Sequence, residues 1–420
     1  MSKSLQPVRG TYDLLPEGSR QRAFILNLAR NRAELYGFGE IQTPIFEFSE
    51  VFHRTLGDTS DVVTKETYTF ADRGGESLTL RPELTASVVR AFISGGLQQD
   101  LPCKFFYAGP AFRYERPQKG RFRQFHQFGA ELLGVAEPLA DVEMIALAWD
   151  ILGQLGLRDK VQLQLNSLGD AASRDAYRSA LIEYFTQHQD KLSDDSKMRL
   201  AKNPLRILDS KDEGDRKIIA DAPKMTACFT PEATAFFAAV TNGLEALGIP
   251  FTLNDRLVRG LDYYNHTVFE FIGGELGAQN AVLSGGRYDG LVETMGGQPT
   301  PGIGWGAGFE RLELLIDFAA HPHYIPPMRP VALVPLGEVA EAQAMILAQS
   351  LRAEGIAVDL GYKGNMQKRM KRANKVNACA AVILGEDELK KGVVSLKDLD
   401  SGQQSEVKIG NLAAALGAYF

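Results

Sequence analysis

Residues 109–127 read GPAFRYERPQKGRFRQFHQ. Five of the eleven positions 113–123 are basic, namely Arg113, Arg116, Lys119, Arg121 and Arg123, and only Glu115 opposes them. Positions 117–120 have the composition of a turn. Aromatic residues recur in short runs on both sides, as they do in strands. The stretch therefore predicts a hairpin whose tip is a cationic loop. Such a tip suits a polyphosphate, a nucleic-acid backbone, or both in succession. A solvated charged hairpin is the other reading of the same composition.

In a strand, residues two apart share a face. Phe125, Gln127, Gly129 and Glu131 line one face of the returning strand, in the order aromatic, amide, glycine, carboxylate. The glycine leaves room for a ligand on the sheet, and Glu131 can accept from an imidazole N–H or an amine, or else serve a structural partner. The opposite face, His126, Phe128, Ala130 and Leu132, is more apolar and is expected to pack inward.

Further glycine-rich and charged stretches surround this hairpin. At 81–85, a short strand runs into Arg81-Pro82-Glu83 and a helix starts near Thr85; Glu83 can hold an ammonium group or cap that helix. At 259–264 the sequence is RGLDYY, where Arg259 can neutralise a phosphate and Tyr264 can bond a substrate, or both can be structural. At 284–290 it is SGGRYDG, read as a glycine-rich turn. At 302–308 it is GIGWGAG, where Gly304, Gly306 and Gly308 alternate. One face of that strand is bare backbone on which a flat base can lie, and Arg311 follows in the next helix. The order of elements differs from a dinucleotide fingerprint. Residues 363–375 carry six basic groups and no acid, which reads as a nucleic-acid contact or a solvated face.

At 420 residues the chain is expected to hold two or three domains. No run of about eighteen or more apolar residues exists, so no membrane span is expected. The N-terminal residues lack the apolar core of a signal peptide. Cys103, Cys228 and Cys379 are far apart and odd in number, as in a reducing compartment. The six histidines show no metal spacing, and His321 and His323, in a proline-rich linker, read as exposed. The net charge of −6 confines nucleic-acid binding to local basic patches.

Along the chain, helical periodicity over 17–36 gives way to an extended stretch, 41–48, in which Pro44 belongs at an edge or bulge. An amphipathic helix is expected over 141–152 and a strand over 161–168. A charged helical block with its own small core follows to about residue 248. Strands are expected at 263–271 and 281–284. Beyond the linker at 321–327, strands at 331–334, 357–360 and 380–384 alternate with helices at 339–354 and 365–375, an α/β pattern.

Together these segments resemble the class II aminoacyl-tRNA synthetases, and specifically the histidyl-tRNA synthetase family, over essentially the whole chain. Pro44 stands where the first motif has its proline, residues 112–131 resemble the second motif, and 304–311 the third. The stretches 259–264 and 284–290 resemble the two peptides particular to the histidine enzymes. Trp305 stands where a smaller aromatic is more common and Ser284 where a small or glycine residue often stands, so altered packing is expected near the adenine or the histidine.

The resemblance implies an α+β catalytic domain, an antiparallel sheet flanked by helices, over residues 1–325. It implies a helical insertion at 170–250 and a C-terminal α/β anticodon-binding domain at 328–420. It implies ATP-dependent attachment of histidine to tRNA(His) through a histidyl-adenylate. The catalytic residues implied are Arg259 and Arg113, clamping the α-phosphate. Glu83, Leu84, Thr85, Gln127, Glu131, Tyr263, Tyr264 and Tyr288 would bind L-histidine. Arg113, Glu115, Arg121, Phe125 and Arg311 would bind ATP, and Arg116, Gln118 and Lys119 the acceptor stem of the tRNA. ATP would arrive with Mg2+, with no tightly bound protein metal, in a cytoplasmic homodimer without membrane association.

A competing reading is a non-catalytic, histidine-binding regulatory paralogue of histidine biosynthesis, expected to lack the anticodon domain and the phosphate-clamping arginines. A synthetase-like accessory subunit of a nucleic-acid polymerase would keep the fold and lose the site. Arg113, Arg259 and Arg311 are all present.

Overall fold

The computed structural model describes residues 5–56, 66–208, 210, 212–257, 263–274 and 281–419. The chain divides into two compact units, Met1–Pro322 and His323–Phe420.

The first unit opens with α1 (Pro16–Leu35), then β1 (Gly39–Glu40), β2 (Phe46–Phe48), α2 (Ser49–Leu56), β3 (Tyr68–Ala71), β4 (Ser77–Leu80) and α3 (Thr85–Ser94). The hairpin is β5 (Cys103–Phe112) and β6 (Gln124–Leu133), followed by α4 (Pro138–Gln154) and β7 (Val161–Ser167). Four helices come next, α5 (Ala171–Gln187), α6 (Asp194–Lys202), α7 (Glu213–Ile219) and α8 (Pro231–Ala246). The unit ends with β8 (Phe251–Leu253), β9 (Asn265–Gly273), β10 (Ala281–Arg287), α9 (Leu291–Thr294), β11 (Gly302–Gly308) and α10 (Phe309–Glu313).

Local chemistry accounts for the boundaries. Pro16, with its fixed φ, opens α1, and Gly37 at φ +81° follows its end. The Asp170, Ser193, Asp212 and Thr230 side chains accept from backbone amides at the starts of α5, α6, α7 and α8. Among the described residues, eight strands form one sheet in the order β1-β5-β6-β11-β10-β9-β7-β8. Only the outer pairs β1–β5 and β7–β8 are parallel.

The structure departs from the sequence reading in several places. The extended stretch 41–48 is broken: β1 stops at Glu40 and β2 starts at Phe46. Between them the buried Arg81 guanidinium donates to the Thr43 and Pro44 carbonyls and, through Nε, to that of Pro110, so a side chain replaces the ladder. The 284–290 stretch is strand as far as Arg287, because Gly285 and Gly286 let three strands close up. A Cβ on Gly285 would meet the Gly304 carbonyl at 2.3 Å, and one on Gly286 the Thr267 carbonyl at 2.7 Å. Helix α4 is buried nearly all round rather than amphipathic. His321 is half-buried, with its ring 4.8 Å from that of Phe24 and Nε2 3.0 Å from the Gln154 carbonyl; His323 is exposed. In the helical block, Tyr177, Leu181, Phe185, Ile207 and Met225 share a separate small core, whereas α8 lies along α4, with a Cβ on Gly243 only 2.6 Å from Val142 Cγ2.

The second unit runs β12 (Val331–Pro335), α11 (Glu338–Ala353), β13 (Val358–Leu360), α12 (Met366–Lys375), β14 (Ala380–Leu384), α13 (Glu386–Lys390), β15 (Val393–Asp398), β16 (Gln404–Lys408) and α14 (Leu412–Leu416). Its sheet order is β13-β12-β14-β15-β16. The parallel centre explains the unbroken apolar runs VALVP and AAVIL, buried at every position. The antiparallel pair β15–β16 is an addition that the strand–helix alternation did not foretell.

Candidate active site

The register of the sheet decides what lies on its open face. Gln127 pairs with Gly109 on β5 and with Gly308 on β11, and Gly129 pairs with Tyr107 and Gly306. Gly306 in turn pairs with Ser284, and Ser284 with Glu270. Residues paired across a sheet share a face. Phe125, Gln127, Tyr107, Gly306, Gly308, Ser284 and Glu270 accordingly line one cavity of about 300 Å³. Its walls are Glu83, Leu84 and Thr85 from the start of α3, Tyr263 and Tyr264, the arginine loop, and α10.

The bare face is real and graded. A Cβ on Gly308 would touch nothing within 4 Å, and one on Gly306 would come no nearer than 3.8 Å to Gln127. On Gly304 the same atom would overlap the Glu131 carboxylate at 1.5 Å. The space above Gly129 is filled from within, by the Tyr107 hydroxyl at 2.4 Å from a built Cβ, so the room expected there for a ligand is taken by a tyrosine.

Three guanidinium groups converge on one side of the cavity. Arg113 donates through Nε to the Pro82 carbonyl (2.8 Å) and its guanidinium carbon lies 5.4 Å from the Phe125 ring centre. Arg121 binds Glu115 at 2.5 Å, and Glu115 stands 4.0 Å from Arg113. Arg311 donates to the Ala281 carbonyl. Burial, then the neighbouring Arg121, lowers the proton affinity of Arg311 below the usual arginine range. A cation so placed gains from a polyanion. Arg116, Gln118 and Lys119 are exposed at the loop tip, where Gln118 and Arg121 form an isolated bridge.

At the other end the groups are buried. Glu131 is fully buried and accepts from Thr85 Oγ1 (2.7 Å), from the Tyr107 hydroxyl (2.9 Å) and from the Tyr288 hydroxyl. Burial pushes its carboxyl up to about 8, against the pull of these hydroxyls. Glu131 and Tyr288 thus stand behind Thr85 and Tyr107 rather than on the cavity wall. Glu83 caps α3, accepting from the Thr85 and Ala86 amides at 2.6 and 2.8 Å, and also faces the cavity. Burial raises its pKa. Arg259 lies outside the described residues.

The back of β6 is less apolar than its sequence suggested. His126 Nδ1 lies 2.7 Å from Arg22 Nη1 and 3.2 Å from Glu310 Oε1. Sequence reasoning passed over Tyr107, Glu270, Phe122 and Glu310. Tyr107 and Glu270 carry no local signal and reach the face only through strand register. Trp305 is buried, its indole N–H donating to the Met144 carbonyl at 3.0 Å, away from the cavity. Among the described residues no three His, Cys, Asp or Glu side chains come together as a metal cage, and no helix is long and apolar enough to cross a membrane.

Residues 10–312, which build this cavity, match the histidyl-tRNA synthetase family model. This chain belongs to the histidyl-tRNA synthetase family. It is an enzyme of the class II aminoacyl-tRNA synthetases, and its α+β catalytic fold is the one that this resemblance implied. Residues 330–419 match the model described as an anticodon binding domain. The chain is 58% identical over 418 residues to the histidine–tRNA ligase of Rhodospirillum rubrum, with 99% of each covered. It is 58% identical over 407 residues to that of Gluconacetobacter diazotrophicus, with 97% of each covered. The crystal structure of apo histidyl-tRNA synthetase from S. aureus superimposes with a TM-score of 0.82 at 34% identity, covering 98% of this chain and 99% of that one. A Bacillus halodurans chain described as an ATP phosphoribosyltransferase regulatory subunit/histidyl-tRNA synthetase shares the fold, with a TM-score of 0.65 at 24% identity over 92% of this chain.

Proposed function

We propose that the glycine-floored cavity is where this histidine–tRNA ligase forms histidyl-adenylate. The observation that carries the assignment is the convergence of Arg113, Arg121 and Arg311 beside the bare strand face of Gly306 and Gly308. Adenine lies over that face against Phe125, and Mg2+ enters with the phosphates as part of the substrate. The histidine carboxylate oxygen attacks the α-phosphorus, the bond to the bridging oxygen breaks, and pyrophosphate leaves. Such a displacement needs fixed positive charge more than a protein nucleophile. Arg113 meets the α-phosphate together with Arg259, and Arg121 and Arg311 meet the outer phosphates. Glu83, Leu84, Thr85, Gln127 and Tyr263 hold the backbone end of L-histidine. Tyr264 reads its imidazole from the cavity wall, and Glu131, fixed by Tyr288, acts on it from behind Thr85 and Tyr107. The exposed Arg116, Gln118 and Lys119 meet the acceptor stem when the terminal ribose of tRNA(His) takes the histidyl group, and residues 328–420 bind the anticodon. The helices of 170–250 form an insertion in the catalytic domain of residues 1–325.

Histidine-dependent ATP–pyrophosphate exchange, with other amino acids as controls, tests this reading. Exchange with histidine alone, lost about a hundredfold or more in Arg259→Ala and Arg113→Ala, is expected. Histidine binding without exchange would instead favour a regulatory role.

We also place the working form as a homodimer. The three-stranded sheet β2-β4-β3 buries Glu47 and Thr79 on its polar side, where Thr79 shares hydroxyl bonds with Ser49 and with the exposed Thr69. Its other side leaves Phe46, Phe48 and Phe70 about half exposed. Such an inverted face suits a second copy. The free cysteines, two of them buried, fit a cytoplasmic enzyme.

A further inference from the structure

The arginine loop is tied at its base to a segment that precedes the first helix. The Arg113 amide donates to the Arg123 carbonyl (2.9 Å), closing the loop on itself. The Arg123 amide then donates outward, to the Gly10 carbonyl at 2.7 Å. Gly10 has φ +86°, and a Cβ there would fall 2.7 Å from Arg123 Cγ. Only glycine allows this approach without displacing the arginine. Two residues on, the Tyr12 ring packs against Phe122 with centroids 4.5 Å apart. The Tyr12 hydroxyl accepts from Arg22 Nη2 (2.8 Å) and donates to Glu310 Oε1 (3.2 Å). Arg22 is itself fixed by a bidentate bond to Glu313, at 2.8 and 3.0 Å. Phe122 and Glu310 line the cavity, beside Arg121 and Arg311, whereas Tyr12 does not.

We propose that residues 8–12 are a strap that sets the return limb of the arginine loop, with Tyr12 the positioning residue that aligns Phe122 and Glu310 for ATP. Tyr12 meets both walls of the phosphate end at once, its ring on the loop and its hydroxyl on α10. The strap thereby fixes the distance between Arg121 and Arg311. The Val8 carbonyl, accepting from both the Thr11 amide (2.9 Å) and the Thr11 hydroxyl (2.8 Å), sets the turn that presents Gly10 and Tyr12. The proposal rests on the assignment of this cavity to ATP.

The test compares Tyr12→Ala, Tyr12→Leu and Tyr12→Phe with wild type and with Arg311→Ala in histidine-dependent exchange, alongside equilibrium ATP binding and thermal melting of each. Tyr12→Ala is expected to raise KM for ATP about tenfold while KM for histidine stays within about twofold, because misplaced charge costs binding at one substrate only. Tyr12→Phe, which keeps the ring contact with Phe122 but loses the hydroxyl bond to Glu310, recovers only part of the loss. Tyr12→Leu carries the comparison should the alanine variant fail to fold. An ATP KM within twofold of wild type in Tyr12→Ala and Tyr12→Leu, or equal rises in both KM values, overturns the strap. Unchanged ATP binding in Arg311→Ala overturns the cavity assignment first, and the strap with it.

Discussion

Glu131 shows how far one side chain can be followed. Its place on the same sheet face as Phe125 and Gln127 follows from counting by twos, and the register puts it on that face, though behind Thr85 and Tyr107 rather than on the cavity wall. Its burial beneath three hydroxyls does not follow, since Thr85, Tyr107 and Tyr288 come from three separate elements and meet it only through folding. Glu131→Gln is expected to raise KM for histidine about tenfold or more and to leave KM for ATP alone; exchange kinetics decide it, and an unchanged histidine dependence assigns Glu131 to structure. A pH dependence follows from the same burial. In the unfolded chain a glutamate loses its proton near 4.3 or so, roughly its reference value. In the folded protein Glu131 keeps it to about 8, so between these values the folded state binds more protons. The stability this contributes is complete at low pH and is lost as pH rises through about 8. Thermal melts of wild type against Glu131→Gln from pH 5 to 8 should show the variant gaining ground. Parallel curves would mean that the carboxyl is already ionised.

At the scale of elements, the arginine hairpin, the bare glycine strand and the alternation of the C-terminal unit are all legible, because each repeats a period of its own. The broken stretch 41–45 is not, since Arg81, which breaks it, lies some forty residues away in sequence. The helical block shows a second contact of that kind. Asp215, fully buried, accepts from the Ser193 amide and from the hydroxyls of Ser193, Ser196 and Ser210. Burial pushes its pKa up, but these four donors outweigh it and hold the carboxyl at about 2. The staple is complete above the ordinary aspartate range and is lost as pH falls from about 4 toward 2. Asp215→Ala should cost about 2 kcal/mol or more, because buried hydroxyls lose a charged acceptor. The loss should appear as earlier proteolysis within residues 171–229, and cleavage spread evenly over the chain would count against a local staple.

At the scale of the whole molecule, the chain falls into two units, and His323–Phe420 has a core of its own, built around Val331, Leu333, Leu347, Val382 and Leu384. A chain ending at Pro327 is expected to keep part of its histidine-dependent exchange and to lose most tRNA charging; equal tRNA affinity with and without the second unit would refute the anticodon role. Phe48→Asp on the exposed sheet face should convert dimers to monomers in light scattering, since a carboxylate cannot be buried there unpaired. Dimers that survive it would move the interface elsewhere. The strand β11 carries one consequence across all these scales. A berth made by leaving atoms out can be filled by mutation but not further emptied. Substitutions at Gly306 and Gly308 can only shrink the room for the base, so heritable change at those positions runs in one direction, toward smaller occupants.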